Sequence, residues 1–332
     1  MRILSCSPGY NWKYQDFYYS FDKKIINGLI RAGHSVIPFS DRDFADRALG
    51  IRALGKGIAN NKLLAIARSY RPELVVLLQA DLITNATLRK IKGLTPNCQI
   101  VNIDCDLIDK ERKKSRLLGR KGIVDATFIT SGGFPLAELR KEGLRAAYIP
   151  NPTDSSLENE DCYSWSDKFF DLVYFSAAEN HAQRWALARR VADLAPDIKV
   201  GTFGSDKRRV LGQDYFNVLK SSRTALNWSQ RNDVPLYASD RIAQLFGAGI
   251  CVCLARSTGL EEYLSAKEAI FFNDADDLVQ RLRCVKQSGD WIEIGKAGRD
   301  RYRALFNETR VASYVIDYAS GSSVKDYEWG HV

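Results

Sequence analysis

The sequence predicts an α/β protein of two domains, each a parallel sheet flanked by helices. Three observations predict it. Short apolar runs alternate with amphipathic stretches along most of the 332 residues. The rhythm breaks once, over residues 150–167, where Pro150, Pro152, Asp154, Ser155 and Ser156 precede a polar, acidic run. It then starts again and runs almost to the end. Apolar strands alternating with helices imply right-handed βαβ units. Two such runs around one linker imply two Rossmann-like domains facing a cleft. The expected boundaries are 1–153 for the first domain, 154–167 for the linker and 168–308 for the second domain. Residues 309–332 form a terminal helix and tail, for which the first domain is one place to pack.

The elements follow in order. Ile3-Leu4 opens a buried strand. Phe21, Ile25, Ile26, Leu29 and Ile30 recur at helical spacing, and Gly33 is a helix stop. Ser35–Ile37 is a strand, residues 44–70 read as helical, and Leu74–Leu78 is the clearest buried strand. Thr84–Lys92 reads as helix, Ile100–Ile103 as strand, Ala126–Ile129 as strand, Pro135–Glu142 as helix and Ala147–Ile149 as strand. In the second half, Leu172–Phe175, Lys199–Phe203, Thr224–Asn227, Ile250–Cys253 and Ala269–Phe272 are strands. Residues 181–195, 215–220, 240–246, 274–285, 291–305 and 309–318 are helices.

Composition narrows the class. Hydrophobic residues make up 45% and charged residues 27%, as in an ordinary globular protein. The net charge of +8 is mildly basic, and no nucleic-acid-binding motif accompanies it, so no nucleic-acid partner is expected. No apolar run approaches the ~20 residues that cross a bilayer. The start, Met1 to Cys6, is too short and too soon polar for a secretory signal. Seven cysteines without a Cys-x-x-Cys pair disfavour a zinc ribbon or a complete disulfide framework and suit reduced, cytoplasmic thiols.

Ligands of open α/β sheets bind beyond the carboxyl ends of the strands, so candidate residues are sought there. In the second half these are Gly204, Asn227-Trp228-Ser229-Gln230, the stretch Asp240-Arg241 to Gly249, and Glu261-Glu262. A helix opening at a strand's end offers free N–H groups to phosphate, and Arg241 can grip phosphate bidentately. Gly247 and Gly249 allow close approach of backbone and ligand. Glu261 or Glu262 can accept from ribose hydroxyls, or simply favour a helix start. In the first half, Asp104 and Asp106 follow a strand and can serve as a general base, or cap a helix and pair with nearby cations. Asp104-Cys105-Asp106 also spells Asp-x-Asp, as do Asp41-Arg42-Asp43 and Asp274-Ala275-Asp276, which makes the match unspecific. Tyr10, Trp12 and Lys13 suit sugar stacking and an anionic acceptor, or form a packed loop. The basic run from Lys110 to Lys121 suits an anionic membrane surface or acidic glycan, or is a solvated helix face. His34, at a helix-to-strand junction away from the binding edge, reads as structural.

The order Leu226-Asn227, Asp240-Arg241 to Gly249, Leu260-Glu261-Glu262 and Phe271 to Asp274 resembles the C-terminal half of spore-maturation-type (CgeB-like) glycosyltransferases. These belong to glycosyltransferase group 1, with the GT-B fold. Met1–Leu4, Gly33–Val36, Arg71–Val76, Asp125 to Phe128, Leu139-Arg140 to Gly143 and Tyr148–Asn151 resemble its first half more loosely.

The resemblance implies transfer of a sugar from a nucleotide-sugar held by the second domain to a glycan, lipid-linked or protein acceptor. It implies no cofactor and no metal. It also implies a basic residue at the diphosphate, here Arg184, which can equally be a surface residue of a basic helix beside Arg189 and Arg190. Many group 1 enzymes place Glu on the donor ribose where this chain has Gln244, and retaining enzymes place Glu where it has Leu236. The paired-Glu signature is therefore absent and the stereochemistry open. The site expected is Gly204, Asn227, Arg241, Gln244 and Glu261 or Glu262 with Arg184. The enzyme is expected in the cytoplasm, peripheral to the inner membrane face. Rival readings are a sugar-nucleotide epimerase on the same scaffold, which the three histidines disfavour, and a non-catalytic sugar- or nucleotide-binding protein.

Overall fold

A computed structural model describes residues 1–9, 17–49, 52–108, 111–176, 182–204 and 210–332. It has two compact units: Met1–Gln15, Ser20–Pro150 and Glu308–Val332 form one, Asp16–Tyr19 and Asn151–Asn307 the other.

The first unit holds β1 (Arg2–Ser7), α1 (Phe21–Arg31), β2 (Ser35–Ser40), α2 (Asp41–Leu49), α3 (Arg52–Tyr70), β3 (Leu74–Leu78), α4 (Asn85–Leu94), β4 (Gln99–Asp104), α5 (Glu111–Leu118), β5 (Ala126–Ile129), α6 (Gly133–Lys141) and β6 (Ala146–Tyr148). Its six strands are all parallel, in the order β2-β1-β3-β4-β5-β6. A parallel sheet is covered on both faces, which is why Leu74–Leu78 is apolar throughout instead of alternating. Val75 and Leu77 turn toward Leu63, Ala67, Leu88 and Ile91 of the covering helices. The helical stretch expected over 44–70 is supplied by α2 and α3, which pack on each other. Ser40 sets the earlier start: its Oγ accepts Asp43 N–H at 3.0 Å, an N-cap bond that begins α2 at Asp41. Thr84 caps α4 in the same way, and Gly33, at φ 85°, follows α1 as its left-handed stop.

The second unit holds β7 (Phe170–Phe175), α7 (Ala182–Leu194), β8 (Val200–Phe203), α8 (Gly212–Lys220), β9 (Ser222–Asn227), α9 (Arg241–Gly247), β10 (Cys251–Ala255), β11 (Ile270–Phe272), α10 (Ala275–Ser288) and α11 (Trp291–Phe306). The strands are again all parallel, in the order β11-β10-β9-β7-β8. One face packs Leu172, Tyr174, Leu226 and Cys253 against Trp185, Ala188, Val191 and Leu282. On the other, Phe175 stacks on Phe203 at 5.1 Å and meets Tyr215 edge-on at 4.6 Å. Residues 151–167 contain one short helical turn, Cys162–Ser164. They are held by Glu158, whose Oε2 accepts from Thr153 Oγ1 and Asp154 N–H.

After Asn307 the chain supplies α12 (Glu308–Ser320) to the first unit. It packs on α1, β4 and β5. Phe128 lies 6.0 and 5.3 Å from the rings of Tyr314 and Tyr318, Trp329 is fully buried, and Gln99 Nε2 donates to Ala319 O at 2.9 Å. Gly28 makes the close packing of α1 on α12 possible, because a Cβ there would overlap the carbonyl of Glu308. Gly28→Ala is therefore expected to destabilise the chain by about 1–3 kcal/mol through overpacking. Gly57→Ala, in an exposed part of α3 with nothing near its missing Cβ, should stabilise it by up to ~1 kcal/mol. Urea unfolding of both variants checks the contrast, and equal behaviour would contradict the packing.

Candidate functional site

In the second sheet, β7 continues to β8 on one side while β9 lies on the other. The chain therefore changes winding direction between β7 and β9, where open α/β sheets place ligands. A cavity of about 460 Å³ opens there, lined by Arg184, Trp228, Ser229, Gln230, Arg231, Asn232, Asp233 and Ser257. Its walls come from the loop leaving β9, the start of α7 and the turn after β10.

Arg184 is half-buried, and its Nη2 donates to Gln230 Oε1 at 3.3 Å. Asn227, the last residue of β9, is buried, and its Oδ1 has no hydrogen-bond partner among the described residues. The same holds for Arg184 Nε and Ser239 Oγ. Buried polar atoms are normally satisfied, so these three atoms retain the capacity for a further hydrogen bond. Trp228 supplies an apolar wall, stacked on Phe272 at 6.2 Å.

The other residues expected at the donor are dispersed. Gly204 ends β8 in the left-handed region at φ 97°. Arg241 lies beside the β7 and β9 exits, with Nη1 donating to Phe175 O and Nη2 to Trp228 O at 2.7 Å. Gln244 is buried on α9 and donates to Asp240 Oδ2 at 3.0 Å. Glu261 is exposed and paired with Arg256, and Glu262 is exposed beside it. Gly247 and Gly249 do not serve ligand approach. A Cβ at Gly247 would meet Thr153 and Glu158, and one at Gly249 would meet Tyr163, so both admit the 153–163 segment. Asn232 and Ser257 escaped the sequence reading, and Gln230 was noted only as part of the loop after Asn227. The signal that finds Asn232 is position, since it lies in that same loop.

The first sheet changes direction between β1 and β3. Asp104 ends β4 and is fully buried. It pairs with Arg116 of α5, and its Oδ1 accepts Asp106 N–H at 3.0 Å. Burial pushes its carboxyl above the usual carboxylate range, with Arg116 opposing the rise. Asp106 is exposed and lies 2.9 Å from Lys113 Nζ. The basic run is largely engaged. Lys114 meets Glu138 at 3.2 Å, Arg116 also meets Asp81, Lys121 donates to Glu142 O, and Arg120 is buried on Asn102 and the Ala80 carbonyl. Burial lowers the Arg120 pKa. Tyr10, Trp12, Lys13 and Lys110 lie outside the described residues.

Asp41 carries a signal that the sequence reading missed. It was noted only within Asp-x-Asp, yet it is fully buried, with Leu82 N–H donating to its Oδ2 and no partner for its Oδ1 among the described residues. Burial raises its carboxyl to about 7, partly offset by the Leu82 bond.

Residues 183–317 match the family model described as glycosyl transferase-like. No curated protein matches the sequence significantly. Among solved structures, the sucrose-phosphate synthase of Thermosynechococcus elongatus aligns over 97% of this chain and 98% of its own, with TM-score 0.62 and 16% identity. Anabaena HepE (Alr3699), solved with UDP and glucose, aligns over 97% and 100%, with TM-score 0.62 and 12% identity. An alpha-glucosyltransferase solved with UDP and a 13-mer DNA aligns over 96% and 100%, with TM-score 0.64 and 12% identity. The fold is that of GT-B glycosyltransferase structures. The glycosyl transferase-like match lies across the second sheet's site, and with this fold it supports a glycosyltransferase activity.

Asp41 yields a pH prediction. Its folded pKa of about 7 lies above the ordinary 3.8. The folded state thus binds the proton more tightly, and stability is lost as pH rises from about 4 to 7. Asp41→Asn keeps an acceptor for Leu82 N–H and removes that loss. Its stability relative to the parent should be greater at pH 8 than at pH 5 by roughly 2–3 kcal/mol. Parallel unfolding curves at the two pH values check this, and a constant difference would contradict it.

Proposed function

We propose that the protein transfers a sugar from a nucleotide-sugar donor to a glycan, lipid-linked or protein acceptor, without a metal ion. One observation carries the reading: the cavity at the β7/β9 change of direction, with the Arg184 cation in its wall and the orphaned Asn227 Oδ1 beside it, inside the matched domain. Arg184 would stabilise the departing nucleoside diphosphate as charge develops on it. Gln230, Ser229 and Ser257 would offer polar contacts to ribose or sugar hydroxyls, and Trp228 an apolar surface. That Anabaena HepE was solved with UDP and with UDP-glucose, and the alpha-glucosyltransferase with UDP, supports a uridine nucleotide as the first donor to try. Within the class, the spore-maturation-type (CgeB-like) group is our reading of the finer relationship.

The acceptor is assigned to the first unit. Of the two carboxylates expected there, Asp106 is exposed and can reach a hydroxyl, so it is the proposed base if the reaction inverts. Asp104, buried and bonded to Asp106 N–H, shapes the turn that presents it. Association with an anionic membrane face through 110–121 is the weaker partner reading, because Lys113, Lys114, Arg116, Arg120 and Lys121 are committed within the fold.

A thermal-shift panel of UDP, GDP, dTDP, ADP and CMP, with and without divalent metal, tests the donor site. A nucleotide at about 100 times its Kd should stabilise the chain by ~2.7 kcal/mol, and Arg184→Ala should abolish most of that shift. Absence of any shift would count against the donor reading. For the acceptor side, Asp106→Asn should lower the transfer rate about 100-fold or more while leaving donor binding intact. Full transfer by the Asp104→Asn/Asp106→Asn double variant would remove both from the mechanism.

A further inference from the structure

The donor reading, on which this inference rests, needs a cation for the diphosphate and a wall of fixed shape. The structure divides these tasks between two arginines. Arg184 lines the cavity; Arg241 does not. Arg241 instead gives Nη1 to Phe175 O, at the end of β7, and Nη2 to Trp228 O, just past β9. Its guanidinium lies 5.1 Å from the Tyr174 ring centre. Trp228 O accepts a second bond, from Tyr174 OH at 3.0 Å. The loop continues from this anchor. Ser229 N–H donates to Asn232 Oδ1 at 3.0 Å, Asn232 Nδ2 donates to Ser229 O at 3.1 Å, and Ser239 N–H donates to Ser229 Oγ at 3.0 Å. The chain between the end of β9 and the start of α9 is thus fastened at one carbonyl and clipped twice beyond it.

We infer that Arg241 is a positioning residue that ties the exits of β7 and β9 together and sets the cavity wall of Trp228, Ser229 and Gln230, while Arg184 is the cation that meets the diphosphate. The physical reason is the guanidinium fork. Bidentate phosphate recognition uses a pair of parallel N–H groups. In Arg241 the terminal pair is directed at two main-chain carbonyls, and only Nε, buried, has no partner among the described residues. A lysine, a point donor on a flexible stem, reaches one of the two carbonyls at a time.

The test compares Arg184→Ala, Arg241→Ala and Arg241→Lys in the full chain. Calorimetry measures UDP and uridine, or the diphosphate that the thermal panel selects and its parent nucleoside. Hydrogen exchange follows the Ser229 and Ser239 amides. Arg184→Ala should weaken UDP about 10- to 100-fold, as for lost charged hydrogen bonds, and leave uridine nearly unchanged. Arg241→Ala should weaken UDP and uridine by one common factor, so that their affinity ratio stays that of the parent. It should also speed exchange at Ser229 and Ser239, with partial recovery in Arg241→Lys. Tyr174→Phe removes the other donor to Trp228 O without changing charge, and should raise Ser229 exchange even if Arg241→Ala does not fold. A collapsed UDP-to-uridine ratio in Arg241→Lys would mean that Arg241 itself meets the diphosphate and would overturn the assignment. So would unchanged exchange in the Arg241 and Tyr174 variants. If the parent binds no nucleotide, the donor reading fails, and the exchange comparison still decides the role of Arg241.

Discussion

One carbonyl organises the second unit's site. Trp228 O takes hydrogen bonds from Arg241 and from Tyr174, and Arg241 also holds the carbonyl that ends β7. At the end of a parallel strand the carbonyls run out of sheet partners, and a buried one must find a donor. Here two side chains supply it. One comes from β7, already fixed in the sheet, and the other from the first turn of α9. The bond that satisfies the backbone therefore also fixes where the loop after β9 begins. Arg184 lines the cavity with one 3.3 Å bond to Gln230, and both arginines keep an unpartnered Nε among the described residues. The difference lies in the terminal nitrogens, which in Arg241 bond two main-chain carbonyls.

The first unit shows the same economy of charge. Its basic segment reads in sequence as a cationic face. In the fold, Arg116 is held between Asp81 and Asp104, and Arg120 is buried under carbonyls that the β3–α4 loop exposes. Exposed ion pairs of this kind add little stability. Asp104 is different, because a fully buried carboxylate that lost its cation would carry the whole cost of desolvation. The pairing with Arg116 accordingly serves the carboxyl edge of the sheet more than it serves a surface.

Much of the fold was legible in the residues. The alternation of Leu74–Leu78 with amphipathic helices required parallel sheets. Thr84, Asp274 and Gly33 marked helix ends through local bonds and a local backbone preference, and those are properties of a few adjacent residues. The helical reading of 44–70 holds for α3 and for most of α2. The earlier start at Asp41 depends on the Ser40 cap bond. The site was less legible. Asn227 was placed at a strand end from periodicity, Arg184 from the resemblance, and Gln230 only as part of the loop that follows Asn227. Asn232, Ser257 and the burial of Asp41 were not legible, because which loops converge on a cavity and which carboxylate the fold buries are not written in a residue's type.

By itself the sequence determined the two α/β runs, the strand ends where a ligand can sit, and the resemblance that names a chemistry. Those follow from interactions between near neighbours in the chain, which periodicity and turn residues record. Only the tertiary structure decided what each charged side chain does. Arg241 and Arg184 are the same residue type at two strand-end positions, yet one faces carbonyls 66 and 13 residues away and the other lines a cavity. A guanidinium's role depends on which acceptors reach it first, and that is set by strand order and packing, which no local stretch of sequence contains.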